Sequence, residues 1–374
     1  MVKYKTYAPE QGKLLPKAGI LDISAYTPGK SQAPGTGRLI KLSSNETPLG
    51  PSTNAIEAYH DASAKLALYP DGSAKLLRET IAKRYDLNPI QIVCGAGSDE
   101  LLNLLAAAYL GPEDEAIYTE HGFLVYKIAI MANGARPVVA PEINHTADIN
   151  SILDKVTDRT RAVFLANPNN PTGTYCPVES LWRLREGLAD HIMLVLDGAY
   201  AEYVMHADYN SGMDLVGQTG NTIMTRTFSK IYGLASLRLG WAYCPPDVAD
   251  VLNRIRGPFN VSDPAIKAGI AAIEDEQHIQ NAIEHNTKWR DWLSEKLTSI
   301  GLKVTPSVAN FVLLHFPGHP DRNAVAADAF LMERRIILRR LEKYGLPNAL
   351  RLSVGSQADN EAVVGALTKF MNKQ

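Results

Sequence analysis

The chain has 374 residues, 45% of them hydrophobic and 21% charged, and a formal net charge of −2, which is enough apolar chain for two domains. No Lys/Arg run marks a nucleic-acid footprint, no basic amphipathic or long apolar stretch marks a membrane, and Cys94, Cys176 and Cys244 are too few and scattered for a disulfide framework or a zinc site. With no apolar signal region near the N-terminus, a soluble cytoplasmic protein is expected.

Residues 1–37, with "YTPGKSQAPGTGR", read as an extended N-terminal arm. Helical spacing follows in "STNAIEAYHDASAKL" and "SAKLLRETIAKRYDL", then a short strand "IQIVC". "SDELLNLLAAAYL" reads as a helix with Ser98 as its N-cap. Strands are expected in "EAIYTE", "RPVVAPE", "RAVFLANP", "IMLVLDGAY" and "NTIMTRTFS", with helices such as "PVESLWRLREGLADH" between several of them. Apolar strands alternating with helices predict a mostly parallel α/β sheet covered on both faces, the core of a large domain over 38–260. Gly and Pro break the pattern around 255–270, and a long helix follows in "DEQHIQNAIEHNTKWRDWLSEKLTSIG". The strands "NFVLLHF", "RIILRR" and "LRLSVG" and a closing helix then predict a smaller C-terminal α/β domain over 261–374.

"IQIVCGAGSDELLNLL" is a strand, a glycine turn and a helix start, a combination that presents free N–H groups to an anion. A dinucleotide fold would use the same device, and Glu120 stands where its ribose-binding acid would. The third glycine of that fingerprint is replaced by Glu100. The turn therefore points to a phosphate without naming the molecule. Asn167, Asp197, Tyr200, Ser229 and Lys230 each lie at or just past the end of an apolar strand, where ligands of open α/β sheets collect. Asn167 also reads as a turn former. Asp197 at a buried strand end needs a cationic partner.

A phosphate cradle, a lysine, a carboxylate, a tyrosine and an arginine are what pyridoxal 5′-phosphate chemistry requires: a Schiff base, a protonated ring nitrogen and a held phosphate. The motifs "NPNNPTG", "DGAY" and "TFSKIYGLASLRLGW", with "KLSSNETPLGPS", "GAGSDELLNLL", "EHGFLVYKIAI" and "LRLSVG" in the same order, resemble the aspartate-aminotransferase fold. Within it they resemble the histidinol-phosphate aminotransferase family. The resemblance implies that Lys230 forms the Schiff base and carries the proton. Asp197 would pair with the ring nitrogen, and Asn167 and Tyr200 would contact the ring oxygen. Gly97, Ser98, Thr227, Ser229 and Arg238 would hold the cofactor phosphate, joined by Tyr69 from across a homodimer interface. Phe123 would stack on the ring, or serve only as a core aromatic. Arg351 would bind the substrate α-carboxylate, Arg339 or its neighbour Arg340 the substrate phosphate, and Tyr26 and Asn45 would line the substrate pocket. Two departures from the pattern are Ala96 in place of asparagine and Gly198 in place of alanine.

The implied reaction is ping-pong transfer between histidinol phosphate plus 2-oxoglutarate and imidazole acetol phosphate plus glutamate, with no metal, nucleic-acid or membrane partner. Alternatives are an aromatic-amino-acid aminotransferase with the same site and a decarboxylase of a phosphorylated amino acid. A non-catalytic regulator on the same scaffold would need a basic DNA-binding module that the chain lacks.

Overall fold

A computed structural model describes residues 16–17 and 19–372. Residues 1–15 and 18 of the expected arm lie outside the described residues. A seven-stranded sheet runs, in spatial order, through Ile92–Gly95, Gly240–Tyr243, Thr222–Thr227, Met193–Asp197, Thr160–Ala166, Glu115–Thr119 and Arg136–Ala140. Only Gly240–Tyr243 runs against its neighbours. Helices cover both faces, so the central strands are buried at nearly every residue.

Alternation along these strands decides which side chains meet. Met193 and Val195 pack with Ile223, Leu101, Tyr126 and Phe164 on one face. Leu194 and Leu196 pack with Ile117, Val163 and Leu181 on the other. By the same period-two rule Asp197, Thr225 and Thr227 belong to the Tyr126 face, with Asp197 opposite Thr225 in register.

A second sheet of four antiparallel strands is ordered Lys303–Thr305, Phe311–His315, Ala349–Ser353 and Arg339–Arg340. Val312, Leu314, Leu338, Leu350 and Leu352 pack with Trp289, Leu293, Leu331 and Leu367 under the helices Glu276–Ser299, Ala324–Glu333 and Gln357–Met371. Residues of the opposite parity, Phe311, Arg351 and Arg339, leave that core. The arm side of the chain is tied in by Ile40–Lys41, which pairs in parallel with Ile336–Ile337.

The region expected only as a break is more ordered than its Gly and Pro content suggested. One helix, Pro246–Ile255, ends before Gly257. Another, Asp263–Glu274, starts at an N-cap in which Ser262 accepts from the Ala265 N–H, with Pro264 in its first turn. Proline is tolerated there because the N–H it lacks would have no intrahelical partner. This helix packs on Thr53–Ser63 and Lys75–Tyr85, with Ala265, Ala268 and Ala272 in one cluster with Leu77, Ile81 and Phe228. Among the described residues no helix is long and apolar enough to cross a membrane.

Candidate active site

A cavity of about 280 Å³ opens beyond the C-terminal ends of the parallel strands, with the second sheet supplying its other wall. Of the residues expected at the site, Tyr26, Asn45, Ser98, Phe123, Asp197, Tyr200, Thr227, Ser229, Lys230, Arg238, Arg339 and Arg351 line it. Gly97, Asn167 and Tyr69 do not.

The floor at one end is built by close backbone approach. Gly97 has φ of +87°, and a Cβ there would lie 2.4 Å from Arg238 Nη2. A Cβ on Gly240 would meet the Ser98 nitrogen at 2.4 Å. Only glycine fits either place. Glu100 Oε2 accepts from the Ala96 N–H at 2.6 Å and from Asn260 Nδ2 at 2.7 Å, so the residue that spoils the dinucleotide fingerprint fastens this turn. Arg238 Nη1 donates to Ser229 Oγ at 3.2 Å, and the Ser229 N–H donates to Thr227 Oγ1 at 3.1 Å. A helix N-terminus, two hydroxyls and a guanidinium thus converge, which suits a phosphate.

Asp197 is fully enclosed, and burial raises its carboxyl to about 6. Its cationic partner, expected from the sequence, is missing among the described residues; the carboxylate instead accepts from Tyr126 Oη at 2.8 Å and Thr225 Oγ1 at 3.3 Å. A buried acid with two hydroxyl donors and no cation, facing a phosphate cradle across one cavity, fits a protonated pyridine nitrogen. Burial, with Arg351 adding to it, lowers the Lys230 amine to about 8, and its Nζ lies 3.5 Å from the Ser44 carbonyl. The lowered basicity leaves part of the amine neutral near pH 7 to 8, the form that a nucleophile or proton carrier needs. Tyr200 Oη accepts from Asn45 Nδ2 at 2.9 Å, while burial pushes the phenol up to about 12. Asn45 itself is knotted to Ser353 and Asn310 with φ of 58°.

The expectation for Asn167 changes. Asn167 spends both ends of its amide on Cys176, accepting from its N–H at 2.7 Å and donating to its carbonyl at 3.0 Å. It is the turn former; Asn170, three residues on, lines the cavity and bonds Arg351. Strand alternation sends Arg339 and Arg340 to opposite sides of the sheet. Arg339 faces the cavity, donates to the Thr27 carbonyl at 2.8 Å and lies over the Tyr26 ring, whereas Arg340 pairs with Glu342 and Asp328. Phe123 both lines the cavity and packs edge-on against Tyr126 at 5.9 Å. Tyr69 is 83% exposed, stacked on Phe259 away from the cavity of its own chain. Arg351 donates to the Ser43 carbonyl at 2.8 Å, and its buried Nε is left without a hydrogen-bond partner among the described residues. Tyr126 and Asn170 escaped the sequence reading. The signal for Tyr126 was a phenol inside the apolar run "LVYKIAI", where a buried hydroxyl needs a partner.

Residues 38–367 match the profile of the aminotransferase class I and II family. The chain is 57% identical to the histidinol-phosphate aminotransferase of Nitrobacter winogradskyi over 96% of its length and 98% of the relative's. It is equally identical to the protein of that name from Rhodopseudomonas palustris, over 96% and 99%. The solved structure of histidinol-phosphate aminotransferase from Sinorhizobium meliloti in complex with pyridoxal-5′-phosphate is similar in fold, with a TM-score of 0.82 at 24% identity over 99% of this chain and 98% of that one. Thermus thermophilus aspartate aminotransferase with maleate shares the fold at a TM-score of 0.79 and 22% identity, over 89% and 91%.

Proposed function

The chain belongs to the class I and II aminotransferases, and within them to the histidinol-phosphate aminotransferases, and from that premise we propose that it interconverts L-histidinol phosphate plus 2-oxoglutarate with imidazole acetol phosphate plus L-glutamate. The observation that carries this reading is the pair Arg339 and Arg351, opposite each other on adjacent strands and both open to the cavity that holds Lys230.

Bound pyridoxal 5′-phosphate supplies an electron sink for the charge left when a bond at the substrate Cα breaks. Ser98, Thr227, Ser229 and Arg238 would hold its phosphate at the Gly97 turn, and Phe123 would pack against its ring. Asp197 would pair with the ring nitrogen, and Tyr200 and Asn170 would contact the ring hydroxyl. Lys230 takes the proton from Cα and returns it on the other side of the transfer, a role its lowered basicity suits. Arg351, planar and partly unpaired, takes the glutamate α-carboxylate. Arg339, with Tyr26 beside it, takes the phosphate of the other substrate.

We read the active form as a cytoplasmic homodimer. Leu66, Leu68 and Tyr69 form an exposed apolar run, which supports a second copy covering it and receiving Tyr69 at its cofactor phosphate.

The test is kcat/KM for histidinol phosphate, phenylalanine and tyrosine, each with 2-oxoglutarate, in the wild type and in Arg339→Ala. Removing a guanidinium from a desolvated anion should lower kcat/KM for histidinol phosphate on the order of 100-fold, and phenylalanine far less. A wild type that prefers the aromatic amino acids would replace this reading with an aromatic aminotransferase. Borohydride should fix the cofactor covalently to Lys230, and labelling of a different lysine would remove Lys230 from its role.

A further inference from the structure

Asp197 has the geometry of a group that is aimed by its neighbours. Its Oδ1 receives the long 3.3 Å bond from Thr225, the residue facing it across the parallel ladder, and the Ala199 N–H also donates to the carboxylate. Its Oδ2 receives the short 2.8 Å bond from Tyr126. Tyr126 in turn has no freedom to do anything else. Its ring is fully buried, stacked on Phe164 at 5.5 Å and 18°, and held edge-on by Phe123 at 5.9 Å and 89°. One turn of the helix Leu124–Ala132 and its cap therefore deliver two things at once: Phe123 to the cavity wall, and a phenol to the back of the carboxylate. The phenol stays a donor, because burial and the adjacent carboxylate raise it well above its ordinary value.

We propose that Tyr126 is the positioning residue that holds the Asp197 carboxylate pointed at the cofactor ring nitrogen, through the 2.8 Å bond to Oδ2. The inference rests on the cofactor placement given above. Without the phenol, Thr225 would be the remaining side-chain donor to a carboxylate with no cation on the protein side. The carboxylate would then rotate and take a proton more readily, since a hydrogen bond to the charged form is what opposes burial here.

The experiment is cofactor binding by the apoenzyme, followed by equilibrium dialysis and by the absorbance of the bound cofactor across pH 5 to 9, for wild type and Tyr126→Phe. Losing a hydrogen bond to a charged group should move the acid limb of the binding curve up by about one to two pH units. It should also weaken binding at pH 7 on the order of 10-fold, and shift the absorbance titration in step. Thr225→Val, which removes the longer bond, should move the limb by less than half as much. A Tyr126→Phe curve superimposed on the wild type would overturn the inference and reduce Tyr126 to a packing residue. If Tyr126→Phe does not fold, Thr225→Val decides alone: a shift of a full unit or more would give Thr225 the role and overturn it. A wild type that binds no cofactor at any pH would instead sink the cofactor placement, and this inference with it.

Discussion

Gly97 and Gly198 both flank the site, and the space around them sets opposite outcomes for the same substitution. At Gly97 a methyl group would combine a left-handed backbone with a 2.4 Å approach to Arg238 Nη2. Gly97→Ala should therefore displace the guanidinium and lower cofactor affinity at least about 10-fold, roughly the loss of one charge-assisted hydrogen bond. At Gly198 the nearest atoms are the Thr225 carbonyl at 3.4 Å and the Ala201 Cβ at 3.5 Å, which is ordinary contact. Gly198→Ala should bind cofactor as the wild type does and gain about 0.4–1 kcal/mol from a less flexible unfolded chain. Cofactor titration and thermal melting of the two variants check the contrast. The same scale shows what a sequence can carry. Lys230 and Asp197 were legible because each is a charged residue at or just past the end of an apolar strand, where burial demands a reason, whereas the role of Arg238 came only with the family resemblance. Asn167 and Asn170 were not separable, because both sit in one Asn/Pro turn and only the folded turn decides which amide it consumes.

At the scale of elements, continuous apolar runs made the parallel strands plain, while Gly240–Tyr243 and the helix Leu124–Ala132 were missed. "GWAY" is too short to show a period, and "LVYKIAIMA" is apolar on nearly every side, so neither carries a directional pattern. We propose moving the boundary between the large and small domains from 260 to after Glu274; the packing of Asp263–Glu274 on Thr53–Ser63 supports this. Where the two sheets meet, His145 stacks on His315 at 4.8 Å, with His121 5.5 Å beyond and Glu120, Glu142 and Lys303 around them. Burial, with His145 and Lys303 nearby, lowers His315 to about 4. The unfolded chain, with an ordinary histidine near 6.5, then binds more protons than the folded one between those values. Stability accordingly rises with pH through that window and levels off above it. Half-buried as His315 is, solvent screening brings the effect to about 1 kcal/mol. Melting temperature from pH 4.5 to 7.5 should rise more steeply in the wild type than in His315→Asn. Equal slopes would exclude this cluster as the source.

At the scale of the molecule, Gly97, Asn167 and Tyr69 are the expected site residues that do not line the cavity, and of these Tyr69 stands 83% exposed on an apolar face. Leu68→Asp on that face should yield a particle near the 40.9 kDa chain mass in sedimentation. It should also bind cofactor more weakly than wild type, since the second copy's Tyr69 would be withdrawn. A variant that stays dimeric with full cofactor affinity would move the interface elsewhere.

The pleat of the second sheet has a consequence for how this protein can change. Arg339 and Arg340 are chemically identical neighbours with opposite destinations, one open to the cavity and the other held by Asp328 and Glu342. What separates them is odd or even position along a two-residue strand paired to Ala349–Ser353. A one-residue slip of Arg339–Arg340 along Ala349–Ser353 would exchange inside for outside while leaving composition, charge and both arginines in place. Register against Ala349–Ser353, more than the identity of either residue, therefore decides which of the two arginines the cavity receives.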